Sequence, residues 1–162
     1  MKWHVRSIGA VGIIGLGLLV SACGSGSPGT SMVGPGGVTM ASLAGTWNAT
    51  RVAFTPTAGG VTVELISSGG SATLVIEAGG RYSFTMVEPG GATTVDTGSM
   101  GFDPDNENFI LAQSDDTPGQ EDSFFFQQNS TDTMVLMGED TFDFNDDGVE
   151  EPASLQVDLS RG

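Results

Sequence analysis

The stretch SATLVIEAGGRYSFTMVEPGGATTVDTGSMGF, residues 71–102, decides the fold of this chain. Tyr82, Phe84 and Met86 alternate with polar residues, so an extended segment places the three apolar side chains on one face. A pair of glycines at 79–80 comes just before this segment and provides a turn from the preceding one. The pattern is typical of consecutive antiparallel strands joined by short turns.

Paired glycines recur at steps of about ten residues, which is the spacing of one short strand plus one turn. The segment VTVELI at 61–66 is left open between a further strand and a short helical crossover. The glycine pairs lie at residues 59–60, 69–70, 79–80 and 90–91. The predicted strands are residues 45–55, 71–78, 81–88, 93–102, 107–113, 121–128, 132–144 and 153–161.

Strands of this kind, each with one apolar face, predict an all-β fold. The favoured architecture is an up-and-down antiparallel barrel of about eight strands, because closure leaves no strand edge exposed. The alternative for the same strands is a two-sheet β-sandwich, in which two apolar faces pack on each other.

Two short motifs at the ends of the predicted domain resemble a known family. LAGTW at residues 43–47 opens the first strand, and Arg161 closes the last strand on the same face as Leu159. The pair resembles the G-x-W tryptophan and terminal arginine of lipocalins and other calycins, and the layout resembles bacterial lipocalin-like lipoprotein domains. The resemblance implies a lipocalin-like barrel whose base is closed by Trp47, with the Arg161 guanidinium stacked on its indole.

The first 23 residues have the pattern of a lipoprotein signal peptide. A basic start, an apolar run at 8–22 and the sequence VSAC ending at Cys23 resemble the bacterial lipobox, where cleavage precedes a lipid-modified cysteine. The alternative is a retained transmembrane helix, but 15 residues fall short of the ~20 that span a bilayer. We expect residues 1–22 to be removed and Cys23 to bind the membrane through its acyl chains.

The composition after the leader predicts a tether followed by one domain. Residues 23–42 are rich in Gly, Ser and Pro and carry no charged side chain, as in flexible linkers. We therefore place the barrel domain at residues 43–162. Gly24 rather than an aspartate follows the cysteine, and by resemblance to enterobacterial sorting signals this favours the outer membrane of the bacterial envelope over the inner membrane.

The chain is strongly acidic, with 20 Asp and Glu against 5 Lys and Arg. Lys2 and Arg6 lie in the leader, which leaves three basic side chains against 20 acidic ones, a net charge of −17. Such a charge opposes binding to nucleic acids and favours cations or basic partners.

The same leader removes most of the side chains that catalysis requires. His4 and Lys2 are the only residues of their kind, and Cys23 is expected to be acylated. The mature chain then lacks the residues for a Ser–His–Asp or Cys–His centre, a histidine zinc site or a Schiff base. Its carboxylates cluster in predicted turns rather than among apolar inner-face residues, so we expect no enzyme activity.

The apolar residues of the predicted inner face have two possible roles. They either line a ligand pocket or fill a small barrel as its core. The candidates for ligand binding are Tyr82, Phe84, Met86, Met100, Phe124, Phe126 and Met134.

The sequence DFNDDG at 143–148 fits D-x-[DN]-x-[DN]-G, the first half of a calcium loop. Asp143, Asn145 and Asp147 would supply oxygen ligands, and Glu150 is a candidate to complete the shell. Position twelve of the motif is Ser154 rather than a bidentate glutamate, so the alternative is an acidic hairpin turn without an ion. No other cofactor is expected.

These observations predict a monomeric, membrane-anchored envelope lipoprotein whose lipocalin-like barrel binds a small apolar or amphipathic molecule. The alternative is a non-catalytic structural or interaction module, with a filled barrel and an acidic, calcium-binding surface. The volume of the barrel interior separates the two functions, since a ligand requires an open cavity.

Overall fold

A computed structural model describes residues 29–145 and 147–162, and most of these residues lie in β-strands. A 3₁₀ turn at Pro35–Gly37 and a short helix, α1 (Met40–Leu43), precede the first strand. No helix in this part of the chain has the length and apolar character needed to cross a membrane. The strands are β1 (Gly45–Pro56), β2 (Val63–Glu64), β3 (Ser71–Ile76), β4 (Arg81–Val87), β5 (Thr93–Phe102), β6 (Phe109–Ser114), β7 (Asp122–Ser130), β8 (Thr133–Phe142) and β9 (Glu151–Arg161).

Eight of these strands close into an antiparallel up-and-down barrel. Each strand from β3 to β8 pairs with the next along the chain, and β1 pairs with both β3 and β9. The two residues of β2 pair with the far end of β1 as an extra strand. The predicted barrel is therefore confirmed and the sandwich is not formed, because the pairing of β1 with β9 leaves one closed sheet.

The observed strands agree closely with the predicted ones, because alternating apolar residues and turn-forming residues mark where each strand begins and ends. In β4 every second residue is buried, with Tyr82, Phe84 and Met86 facing inward as predicted. The open segment 61–66 forms the short strand β2 followed by a turn, not a helical crossover.

The strand directions give the barrel two different ends. At one end Trp47 of β1 pairs with Arg161 of β9, and we call this end the base. At the other end β1 finishes at Pro56, β4 at Val87 and β8 at Phe142, and we call this end the mouth.

The predicted domain start at residue 43 needs correction, because residues 30–43 pack on the base. We call this segment the strap. Ser31 forms a β-bridge with Phe102, and Met40 is fully buried in the core. Gly34 passes so close to the Phe102 ring that a Cβ there would lie 2.3 Å from a ring carbon. The part of the predicted flexible tether at 29–42 is therefore packed against the barrel. The predicted signal peptide, Cys23 and Gly24 lie outside the described residues.

Candidate functional site

The base of the barrel is closed by the predicted pair of side chains. The Trp47 indole is fully buried, and its Nε1 donates a hydrogen bond to the Leu43 carbonyl at 2.8 Å. The Arg161 guanidinium carbon lies 4.3 Å from the centre of the indole. Arg161 Nη1 donates a hydrogen bond to the Ala44 carbonyl and Nη2 donates one to the Ser42 carbonyl, both at 2.9 Å. One arginine thus ties the last strand to both the indole and the strap.

The lumen of the barrel is filled by its own side chains. The cavity that remains has a volume of about 40 Å³. Pockets for drug-sized ligands measure roughly 300–1,000 Å³, and even a cavity that admits benzene is about 150 Å³. Large inward side chains such as those of Phe84, Met100 and Phe124 leave no room for such a ligand.

The predicted ligand-binding residues are consequently divided among three places. Tyr82, Phe84, Met100 and Phe124 line the small lumen cavity. Phe126 packs edge-on against Phe102 with ring centroids 5.4 Å apart, and Met134 is buried in the core. Met86 is the one member of the set that lines the larger cleft at the mouth. The structure therefore assigns a core role to most of the set.

A cleft of about 620 Å³ lies at the mouth of the barrel. Three segments form its walls: the β1–β3 connection with β2, the β4–β5 hairpin, and the end of β8 with the loop after it. Its apolar lining includes Phe54, Leu65, Met86 and Phe142. Sequence reasoning missed the cleft, because it arises where three connections separated along the chain meet. We call it the mouth cleft.

An aromatic stack forms one wall of the mouth cleft. The rings of Phe54 and Phe142 lie 4.6 Å apart at an angle of 26°. Phe144 continues the group, with its ring 5.1 Å from that of Phe142. Stacked rings hold each other in place, so this wall is a fixed apolar surface.

The rim of the mouth cleft is acidic. Glu88, Asp143 and Glu150 line it, and none of the arginines in residues 29–162 does. The three arginines of the described chain are engaged elsewhere. Arg51 pairs with Glu64 and Arg81 with Asp115, each at 2.6 Å, and Arg161 lies at the base.

Several oxygens of the acidic loop after β8 accept hydrogen bonds from neighbouring protein groups. The Asp143 carboxylate accepts hydrogen bonds from the amides of Asp147 and Gly148, at 3.2 and 2.7 Å. Glu150 accepts from the Thr141 hydroxyl, and the Asn145 side-chain oxygen accepts from the Asp147 amide. Among residues 29–145 and 147–162, no three acidic, histidine or cysteine side chains are grouped to hold a metal. The calcium site stays a prediction.

Two buried carboxylates on the inner face were not predicted. Asp96 accepts hydrogen bonds from the Tyr82 and Ser114 hydroxyls. Burial raises the pKa of Asp96, although these two hydrogen bonds oppose the shift. Asp140 is also buried, and its carboxylate accepts from the Thr141 amide at 2.8 Å. The expectation that no carboxylate lies among the apolar residues of the inner face was wrong.

The strand alternation of the sequence could have identified Asp96 as an inward-facing residue. Asp96 alternates along β5 with Gly98 and Met100, so the three lie on the same face. Gly98 leaves space there for Tyr82, because a Cβ at Gly98 would lie 2.7 Å from a carbon of the Tyr82 ring. Burial of the Tyr82 phenol raises its pKa, so it remains a hydrogen-bond donor to Asp96.

Comparison with known proteins adds one solved structure. No family model matches the chain, and no curated protein matches it. The chain is similar to lobster apocrustacyanin A1, with 14% sequence identity and a TM-score of 0.43. The alignment covers 75% of this chain and 61% of that chain, so the chain spans about three-fifths of that protein's length. The chain's own strand order, closed eight-stranded barrel and Trp–Arg base define the fold as lipocalin-like.

Proposed function

We propose that the chain is a non-catalytic binding protein that holds a small amphipathic molecule in the mouth cleft. The observation that supports this most directly is the contrast in volume, about 620 Å³ at the mouth against about 40 Å³ in the lumen. The former lies within the range of small-molecule sites and the latter far below it. An apolar lining beneath polar rim groups suits a ligand with one apolar and one polar part.

Ligand binding remains the proposed function, with the site at the mouth rather than in the lumen. The membrane anchor is also retained, and it is supported by the lipobox that ends at Cys23. A lipid-anchored binding protein of this type would capture its ligand close to a membrane of the bacterial envelope.

The chemistry of the mouth cleft supports binding without catalysis. Residues 29–162 contain no histidine, lysine or cysteine. The Asp96 carboxylate, whose pKa burial raises, does not line the cleft and is held by two hydroxyls. A general acid must reach its substrate, and Asp96 is enclosed by the barrel wall.

The test is a titration with the neutral fluorescent probe N-phenyl-1-naphthylamine. Ser68 lines the cleft and Ser67 does not, although both are exposed and both donate a hydrogen bond to the Glu64 carbonyl. We expect Ser68→Trp to fill the cleft and weaken probe binding about tenfold or more, with Ser67→Trp as the matched control.

A third variant locates the site. Ala112 lines the lumen cavity, so Ala112→Val adds methyl groups there and is expected to leave probe affinity unchanged. Loss of binding in Ala112→Val but not in Ser68→Trp would return the site to the lumen. Absence of binding in the wild-type chain would favour the alternative function, an interaction module with a filled barrel, which the small lumen cavity also fits.

A further inference from the structure

We infer that the ligand of the mouth cleft is an organic cation, with an apolar body and an ammonium-type head group. This inference rests on the proposed function, because it names the chemical class that the same cleft takes. It follows from the charge of the rim, the aromatic wall and the spacing of the rim carboxylates.

The rim places negative charge on two opposing walls. Glu88 belongs to the β4–β5 hairpin, while Asp143 and Glu150 belong to the loop between β8 and β9. No basic side chain among the cleft-lining residues neutralises them. A bound anion would be repelled by the three carboxylates, and a neutral body would displace water from them without compensation. A cationic head group restores the lost interactions.

The aromatic wall adds a second preference for a cation. The faces of stacked phenylalanine rings carry partial negative charge, and a cation within about 6 Å of a ring centre is attracted to it. Phe142 and Asp143 both line the mouth cleft, and Phe142 stacks on Phe54. An ammonium group at this wall is therefore close to both a ring and a carboxylate, while Leu65 and Met86 receive the apolar body.

The spacing of the carboxylates favours a large cation over a metal ion. Within the described parts of the chain, no three of them converge closely enough to hold a metal. A divalent ion requires six or more oxygens at about 2.0–2.6 Å, which needs such convergence. An alkylated ammonium spreads one positive charge over a larger volume and needs no tight oxygen shell.

The experiment compares three probes that share one decyl chain and differ in head-group charge. Decyltrimethylammonium is the cation, decyl glucoside the neutral probe and decanoate the anion, each titrated calorimetrically below its micelle concentration. We expect the wild-type chain to bind the cation about tenfold more tightly than the neutral probe, and the anion most weakly. Raising the salt concentration is expected to reduce this preference.

Two double variants with the same change in net charge distinguish the effect of the rim carboxylates from that of overall surface charge. Glu88→Gln with Glu150→Gln removes two rim charges, and we expect it to abolish the preference for the cation. Glu77→Gln with Glu107→Gln removes two exposed charges from loops at the base, and we expect the preference to remain.

The outcomes distinguish failure of the cation preference from failure of ligand binding in the mouth cleft. Equal affinity for the cation and the neutral probe would overturn the inference and leave the proposed function standing. Equal loss of preference in both double variants would also overturn it, since attraction would then come from overall charge. If none of the three probes binds, the proposed function itself fails.

Discussion

Arg161 links three parts of the base through a single guanidinium group. It stacks on Trp47, donates to the carbonyls of Ser42 and Ala44, and lies 3.7 Å from the Asp132 carboxylate. We predict that Arg161→Lys lowers the free energy of unfolding by about 1–2 kcal/mol, because an ammonium lacks the planar fork. Urea unfolding measures this change.

Arg81→Lys is the matched control for Arg161→Lys. The salt bridge between Arg81 and Asp115 is at the surface, with side chains 36% and 49% exposed. Exposed ion pairs contribute about 0–1 kcal/mol, so this variant is expected to change stability less. Equal losses in the two variants would contradict the special role of the base.

Asp96 makes the stability of the barrel depend on pH in a defined direction. Burial raises its pKa in the folded state, so the folded chain keeps the proton at pH values where the unfolded chain has lost it. The contribution of Asp96 to stability is therefore greatest in acid and declines as pH rises through its folded pKa.

We predict that Asp96→Asn removes this decline. An asparagine still accepts from the Tyr82 hydroxyl and donates to the Ser114 oxygen, so the geometry is retained without a buried charge. Urea unfolding at about pH 4.5 and pH 7.5 is expected to show a gain of about 1 kcal/mol for the variant at the higher pH only. The exposed Asp105→Asn is the control, and an equal gain there would contradict the prediction.

At the scale of elements, the strands were predictable from the sequence, but the filled lumen and the mouth cleft were not. Alternation in β4 and the glycine pairs specify local structure, because they act between near neighbours in the chain. The filling of the lumen depends on both strand tilt and side-chain volume. The mouth cleft depends on three connections that are far apart along the chain. The strap was missed because a Gly- and Ser-rich composition resembles that of a linker, although Met40 within it is buried in the core.

The strap provides a prediction at this scale. Met40 is fully buried and Met32 is 37% exposed, although both belong to the same segment. We predict that Met40→Ala lowers the free energy of unfolding by about 2–5 kcal/mol, with Met32→Ala nearly neutral. Thermal melting of both variants in the chain that begins at Gly29 measures the difference. Equal melting temperatures would show that the strap is not part of the folded core.

At the scale of the whole molecule, the barrel has a closed end and an open end, and the chain enters at the closed end. The strap bridges to Phe102 and packs beside Trp47, whereas the mouth cleft lies at the opposite end. Five residues lie between Cys23 and Gly29, and the six steps along the chain span at most about 20 Å when extended. With Cys23 acylated as proposed, the anchor would hold the base near the bilayer and direct the mouth away from it.

This orientation is measurable by energy transfer from single labelled sites to a dye-labelled lipid in vesicles. Ala78 lies in a turn at the base and Ala92 in the hairpin at the mouth, and both are exposed. With the acylated chain reconstituted in vesicles, we predict stronger transfer from Ala78→Cys than from Ala92→Cys. Cys23→Ser in each background is expected to abolish vesicle attachment and with it the transfer. Equal transfer from the two sites would contradict the orientation, because a barrel held by its base keeps the two ends at different distances from the lipid.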